Sequence, residues 1–104
     1  MLGWRFIRVS GQSMSPLLED GDYALMRRIS RRSTIKVGDI VLIAHPKFGD
    51  IIKRIGVVTA DGYVAEGIAA QSVSAAEIGT VGRDDVLAKL VWRVSPRGVR
   101  RVPV

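Results

Sequence analysis

A serine and a lysine carry the most chemical information in this chain. Ser13 sits in Gly11-Gln12-Ser13-Met14-Ser15-Pro16-Leu17-Leu18, just before the acidic turn Glu19-Asp20-Gly21-Asp22. Lys53 follows in Asp50-Ile51-Ile52-Lys53-Arg54-Ile55-Gly56. A serine hydroxyl is a weak nucleophile until a neighbour takes its proton, and a lysine does so only when burial drives its ammonium neutral. A serine on a loop shaped by glycine and proline, with a lysine among β-branched residues, supplies both halves of such a dyad. With one histidine and no cysteine, thiolate chemistry is ruled out and other nucleophilic machinery has few parts to draw on.

The elements that must position these residues are strands. On a strand Lys53 shares a face with Ile51 and Ile55, while Arg54 points the other way. Tyr23-Ala24-Leu25-Met26 follows a Gly-Asp turn, and Gly38-Asp39 opens the apolar run Ile40-Val41-Leu42-Ile43-Ala44, stopped by His45-Pro46. Residues 51–59 are rich in Ile and Val, and Asp61-Gly62 signals a hairpin into Tyr63-Val64-Ala65. A last apolar stretch covers 86–94. Helical turns are expected only within 71–77 and 83–87. This spacing predicts a mainly β fold of compact antiparallel sheets. The 104 residues form one expected domain, with the tail 97–104 loosely held.

Lys and Arg total 16 against 10 acidic residues, a formal net charge of +6. The basic stretches 27–32 and 97–101 read first as solvated surface. Where they meet a partner, an anionic membrane surface fits better than nucleic acid, because no aromatic residues interleave with them. No apolar run reaches the roughly 18 residues of a membrane-spanning helix, so a cytoplasmic or peripherally membrane-associated protein is expected. His45 reads as a loop histidine without metal partners, and Asp39, Asp50 and Asp61 as turn carboxylates.

Four boxes, taken in order, resemble the signal peptidase and LexA-like serine peptidases: residues 11–18, Gly21-Asp22, Gly38-Asp39-Ile40-Val41 and Ile52-Lys53-Arg54-Ile55. Each box alone is weak; four in order and at the right spacing are specific. The resemblance implies a β fold of antiparallel sheets, a Ser/Lys dyad and endoproteolysis of an extended peptide or precursor protein, with no metal or cofactor. It makes Ser13 the nucleophile and Lys53 the general base. It also makes Ser72 the residue that orients Lys53, the Ser13 backbone N–H an oxyanion donor with Ser10 as a further candidate, and Met14 part of the substrate site.

Two departures stand out. In the late box the family's Asp and Arg are replaced by Ser74 and Ala76, which removes a pair together and leaves no orphan charge. Two residues before the nucleophile, Gly11 stands where some members place a serine. Two alternatives remain: a non-catalytic peptide-binding relative, and a LexA-type self-cleaving switch. The latter is disfavoured because the chain has no Ala-Gly or Cys-Gly bond to cut.

Overall fold

Short β-branched runs, each opened or closed by glycine with an acidic or polar neighbour, set the strand pattern. The computed structural model describes residues 3–30, 32–68 and 75–102. In chain order the strands are β1 (Trp4–Arg8), β2 (Tyr23–Arg28), β3 (Ile40–His45), β4 (Gly49–Val58) and β5 (Tyr63–Glu66). After the short helix α1 (Ala75–Ile78) come β6 (Thr80–Val81), a 3-10 turn over Arg83–Asp85, β7 (Val86–Ser95) and β8 (Gly98–Arg101). All strands join one antiparallel sheet in the order β1-β2-β7-β3-β4-β5-β6, with β8 on β7. The fold is mainly β, as the apolar runs predict.

Three strands not foreseen from the sequence complete the sheet, among them the short β6, which pairs with β5. Trp4–Arg8 pairs with β2 in the register Phe6 to Leu25. Gly98–Arg101 pairs with the second half of β7, leaving the first half of that edge to β3. The expectation of a loose tail is therefore corrected for residues 98–102. Val102 is buried, and its N–H donates to the Val91 carbonyl at 2.8 Å. All four β8 residues are exposed, so backbone pairing holds the strand and its side-chain pattern carries little signal.

The sheet divides the core into two clusters. One gathers Met14, Leu18, Met26, Ile40, Leu42, Ala88 and Leu90; the other gathers Ile35, Val41, Ile43, Ile55, Tyr63 and Ala65. Alternation along β3 explains the split, because Ile40 and Leu42 face one way and Val41 and Ile43 the other. Four steps separate β1 from β4 in the strand order, yet Arg5 reaches Asp50 at 3.9 Å. The sheet must therefore curl, bringing β1 round towards β4.

The start of β3 is fastened by Gly38-Asp39. Gly38 has φ +95°, the left-handed region where glycine carries no Cβ penalty. The Gly38 N–H donates to the Ile55 carbonyl and the Ile55 N–H to the Asp39 carbonyl, both at 2.8 Å. The Asp39 carboxylate accepts from the Lys36 N–H at 2.9 Å, as a turn residue should. It also lies 3.3 Å from Lys89 Nζ on β7 while only 2% exposed, which makes it a buried ion-pair partner as well.

Replacing one partner of a buried pair leaves the other charge uncompensated, which typically costs 3–5 kcal/mol. Asp39→Ala is expected at the lower end, about 3 kcal/mol, because Lys89 keeps some solvent contact. A urea titration should show this as a lower midpoint at unchanged slope. A midpoint equal to that of the parent chain would show that the pair contributes nothing to the fold.

Candidate active site

The Ser13 loop is built by its own carboxylates. Val9 and Asp22 close its base: the Val9 N–H donates to the Asp22 carbonyl at 2.8 Å and the Gly21 N–H to the Val9 carbonyl at 2.9 Å. The Asp20 carboxylate accepts from the Gly11 N–H at 2.8 Å. Glu19 accepts from the Ser15 hydroxyl at 2.7 Å, and Asp22 accepts from the Glu19 N–H at 2.9 Å. A turn closes around Ser13 itself, with the Ser15 N–H donating to the Gln12 carbonyl at 3.0 Å. Gly11 adopts φ +80°, and the Ser15–Pro16 peptide is cis. Met14 and Leu18 anchor the loop in the first core cluster. In the sequence the acidic run looked like an ordinary turn; its bracing role became visible only once its partners were placed.

Ser13 is held half-buried. Its carbonyl accepts from the Ile68 N–H at 2.8 Å, while its own N–H donates to none of the described residues. The Ile68 bond has a second effect. β5 pairs with β4 from Arg54 onward and ends at Glu66. The chain then turns to the Ser13 loop and does not continue along β4. Residues 49–53 therefore pair with β3 alone among the described residues, and β1 pairs with β2 alone.

Lys53 lies on this half-open segment, opposite Val41. Its exposure is 3%, and it shares its pleat with Ile55, which is fully buried. Among the described residues it makes neither a hydrogen bond nor an ion pair. Burial disfavours the charged form, so the pKa of the amine is lowered from its ordinary 10.5.

One cavity of about 270 Å³ brings the expected residues together: Ser10, Ser13 and Met14 from the loop side, Lys53 from β4. Arg5 and Ile7 of β1 face Asp50 and Ile52 of β4 across it, and the Arg5–Asp50 pair crosses its rim. Ser13 and Lys53 are not joined by a hydrogen bond. The pleat explains the gap: Met14 packs on the face of Leu42, whereas Lys53 leaves β4 on the face of Val41. Both residues nonetheless line the same cavity.

Ser72 and Ser74 lie outside the described residues. Ala76 is exposed on α1. His45, expected in a loop, ends β3 and ties it to α1. Its Nδ1 accepts from the Lys47 and Phe48 N–H groups, so Nε2 carries the proton and donates to the Ile78 carbonyl at 2.8 Å.

Compared with protein families, the chain matches the signal peptidase family, peptidase S26, over residues 1–63. That is more than half of the 104 residues and includes both Ser13 and Lys53, and it stops before the late stretch. Comparison with curated proteins and with solved structures returned no match.

The lowered pKa of Lys53 has a stability consequence with a definite sign. Below the folded-state pKa both states are protonated, and the folded state carries the full cost of a buried ammonium. Between that pKa and 10.5 only the unfolded chain holds the proton, so stability rises with pH and the cost is gone above 10.5. Lys53→Met should therefore be as stable as the parent or more so at neutral pH, with the difference shrinking towards pH 10.5. Denaturant midpoints across that range test it. A variant less stable at pH 7 and unchanged in its relation to the parent at high pH would contradict the desolvation account.

Proposed function

The chain belongs to the S26 signal peptidases, and from that premise we propose that it is a serine endopeptidase cutting an extended peptide segment, such as a signal or pro-peptide. The observation that carries this reading is the single cavity lined by Ser13 and a buried, uncompensated Lys53. Desolvation lowers the pKa of this amine, and its neutral form is a base able to take the serine proton. Among the described residues the outer edges of β1 and of β4 residues 49–53 are unpaired and border the same cavity, which supports an extended substrate. Such a peptide adds as a strand and satisfies the open backbone groups.

In the proposed reaction Ser13 Oγ attacks the substrate carbonyl carbon as Lys53 Nζ accepts the hydroxyl proton. The developing oxyanion accepts from the free Ser13 N–H, with the Ser10 hydroxyl as a further donor. The C–N bond then breaks, and the Lys53 ammonium returns the proton to the leaving amine. A water molecule, deprotonated by Lys53, hydrolyses the acyl ester and restores Ser13. Met14 forms part of the wall against which the substrate lies. Ser72, by the family pattern, orients Lys53, so Ser72→Ala should lower turnover while leaving stability unchanged.

The test is cleavage of an extended-peptide library by the purified chain, followed by mass spectrometry. General-base removal typically costs 10²–10⁴-fold, so Lys53→Met should lose at least about 100-fold in turnover, and Ser13→Ala should be inactive. Activity of the parent should rise with pH through the lowered Lys53 pKa. A Lys53→Met chain cutting at the parent rate would overturn the dyad. Saturable peptide binding with no cleavage by the parent would instead leave a peptide-binding relative of these enzymes.

A further inference from the structure

The basic stretches 27–32 and 97–101, far apart in the sequence, border one cleft. Its volume is about 780 Å³, and it shares no lining residue with the Ser13 cavity. Arg27, Arg32, Lys89 and Arg101 line it together with Trp4 and Trp92. Strand register explains the gathering. Trp4 is the cross-strand partner of Arg27, Arg27 of Lys89, and Trp92 of Arg101. Partners directly opposite on paired strands share a face of the sheet. The Arg27 guanidinium lies 5.9 Å from the centre of the Trp4 ring, within cation–π range. The wall contributed by Ile29, Ser30, Arg32, Ser33 and Thr34 is fastened as well, since Arg83 donates to the Ser30 and Ser33 carbonyls and the Ser30 N–H donates to Ser33 Oγ at 2.9 Å.

The charge of this cleft is unbalanced. Among the described residues no carboxylate lines it. Asp39 offsets Lys89, whereas Arg27, Arg32 and Arg101 have no acidic partner among the described residues. With Arg28, four arginines line this opening and repel each other, and a multiply charged anion would relieve that repulsion. Guanidinium forks match phosphate oxygens in bidentate geometry, and indole faces take up carbon surface beside them. The aromatic residues missing from the basic stretches are thus supplied by β1 and β7.

We propose that this cleft is a second binding site, which takes a phosphate ester: the phosphate on Arg27, Arg32 and Arg101, the carbon portion against Trp4 and Trp92. The site does not depend on the peptidase reading. Its ligand chemistry fits a lipid headgroup or a soluble organic phosphate, and the test separates them.

Trp4 and Trp92 are the only tryptophans in the chain, so intrinsic fluorescence reports on this cleft directly. The full chain is titrated with dihexanoyl phosphatidic acid below its micellar concentration, with glycerol 3-phosphate, and with dihexanoyl phosphatidylcholine. A saturable change with phosphatidic acid is expected. Charge-assisted hydrogen bonds typically contribute 1.5–3 kcal/mol, so the Arg27→Gln/Arg101→Gln variant should bind at least about tenfold more weakly. Arg32→Gln, outside the strands, repeats the comparison if the double variant fails to fold. Binding of phosphatidic acid alone assigns a lipid headgroup; binding of glycerol 3-phosphate as well assigns the phosphate group itself. The proposal is overturned by no saturable change with either phosphate probe, by equal affinity for phosphatidylcholine, or by unchanged affinity in the arginine variants. A short single-stranded oligonucleotide binding far more tightly than both probes would also overturn it, in favour of a polymer-binding face.

Discussion

Among the described residues Lys53 is buried without a counter-charge, and the proposed chemistry of the site rests on that placement. The row of residues crossing the sheet at this level makes the point by contrast. Val41 has Lys53 opposite it on β4 and Lys89 opposite it on β7. Lys89 meets the buried Asp39 carboxylate at 3.3 Å and so has a counter-charge within the fold. Lys53, on the other side of the same valine, meets none among the described residues. A carboxylate within reach of Lys53 would favour its charged form. The Gly38-Asp39 box thus fastens β3 to β4 and supplies a counter-charge to Lys89.

The second constraint is an open strand edge. Unpaired N–H and C=O groups invite pairing with other chains, and proteins commonly protect such edges with charge. Here β5 could continue along β4, yet the Ile68 N–H bonds to the Ser13 carbonyl and the edge of residues 49–53 stays open. The same bond steadies the Ser13 loop from behind. Arg5, Arg8 and Asp50 stand around the opening. One hydrogen bond therefore links the position of the serine to the point where β5 leaves β4.

Much of this was legible in the residues. The boxes holding Ser13 and Lys53 stand out because they are local, and the strands from 23, 40, 51, 63 and 86 are rich in apolar residues. β1 was not legible: Trp4-Arg5-Phe6-Ile7-Arg8 mixes charge with apolar residues at the sheet edge, where one side of the strand needs no partner. β8 has a single apolar residue, and β7 supplies what holds it. The bracing of the Ser13 loop, the Asp39–Lys89 pair and the clustering of two basic stretches with two tryptophans all depend on cross-strand register. Register is set by the whole sheet, so no local pattern discloses it.

The central claim, that burial turns the Lys53 ammonium into an amine base, is open to direct measurement. The chain has four lysines, at positions 36, 47, 53 and 89. Labelled with ¹³C at Cε, each gives a signal whose chemical shift follows the protonation of its own amine. In a pH titration one of the four should titrate clearly below 10.5, and that signal should be missing from Lys53→Met. Four lysines titrating together near 10.5 would contradict the account.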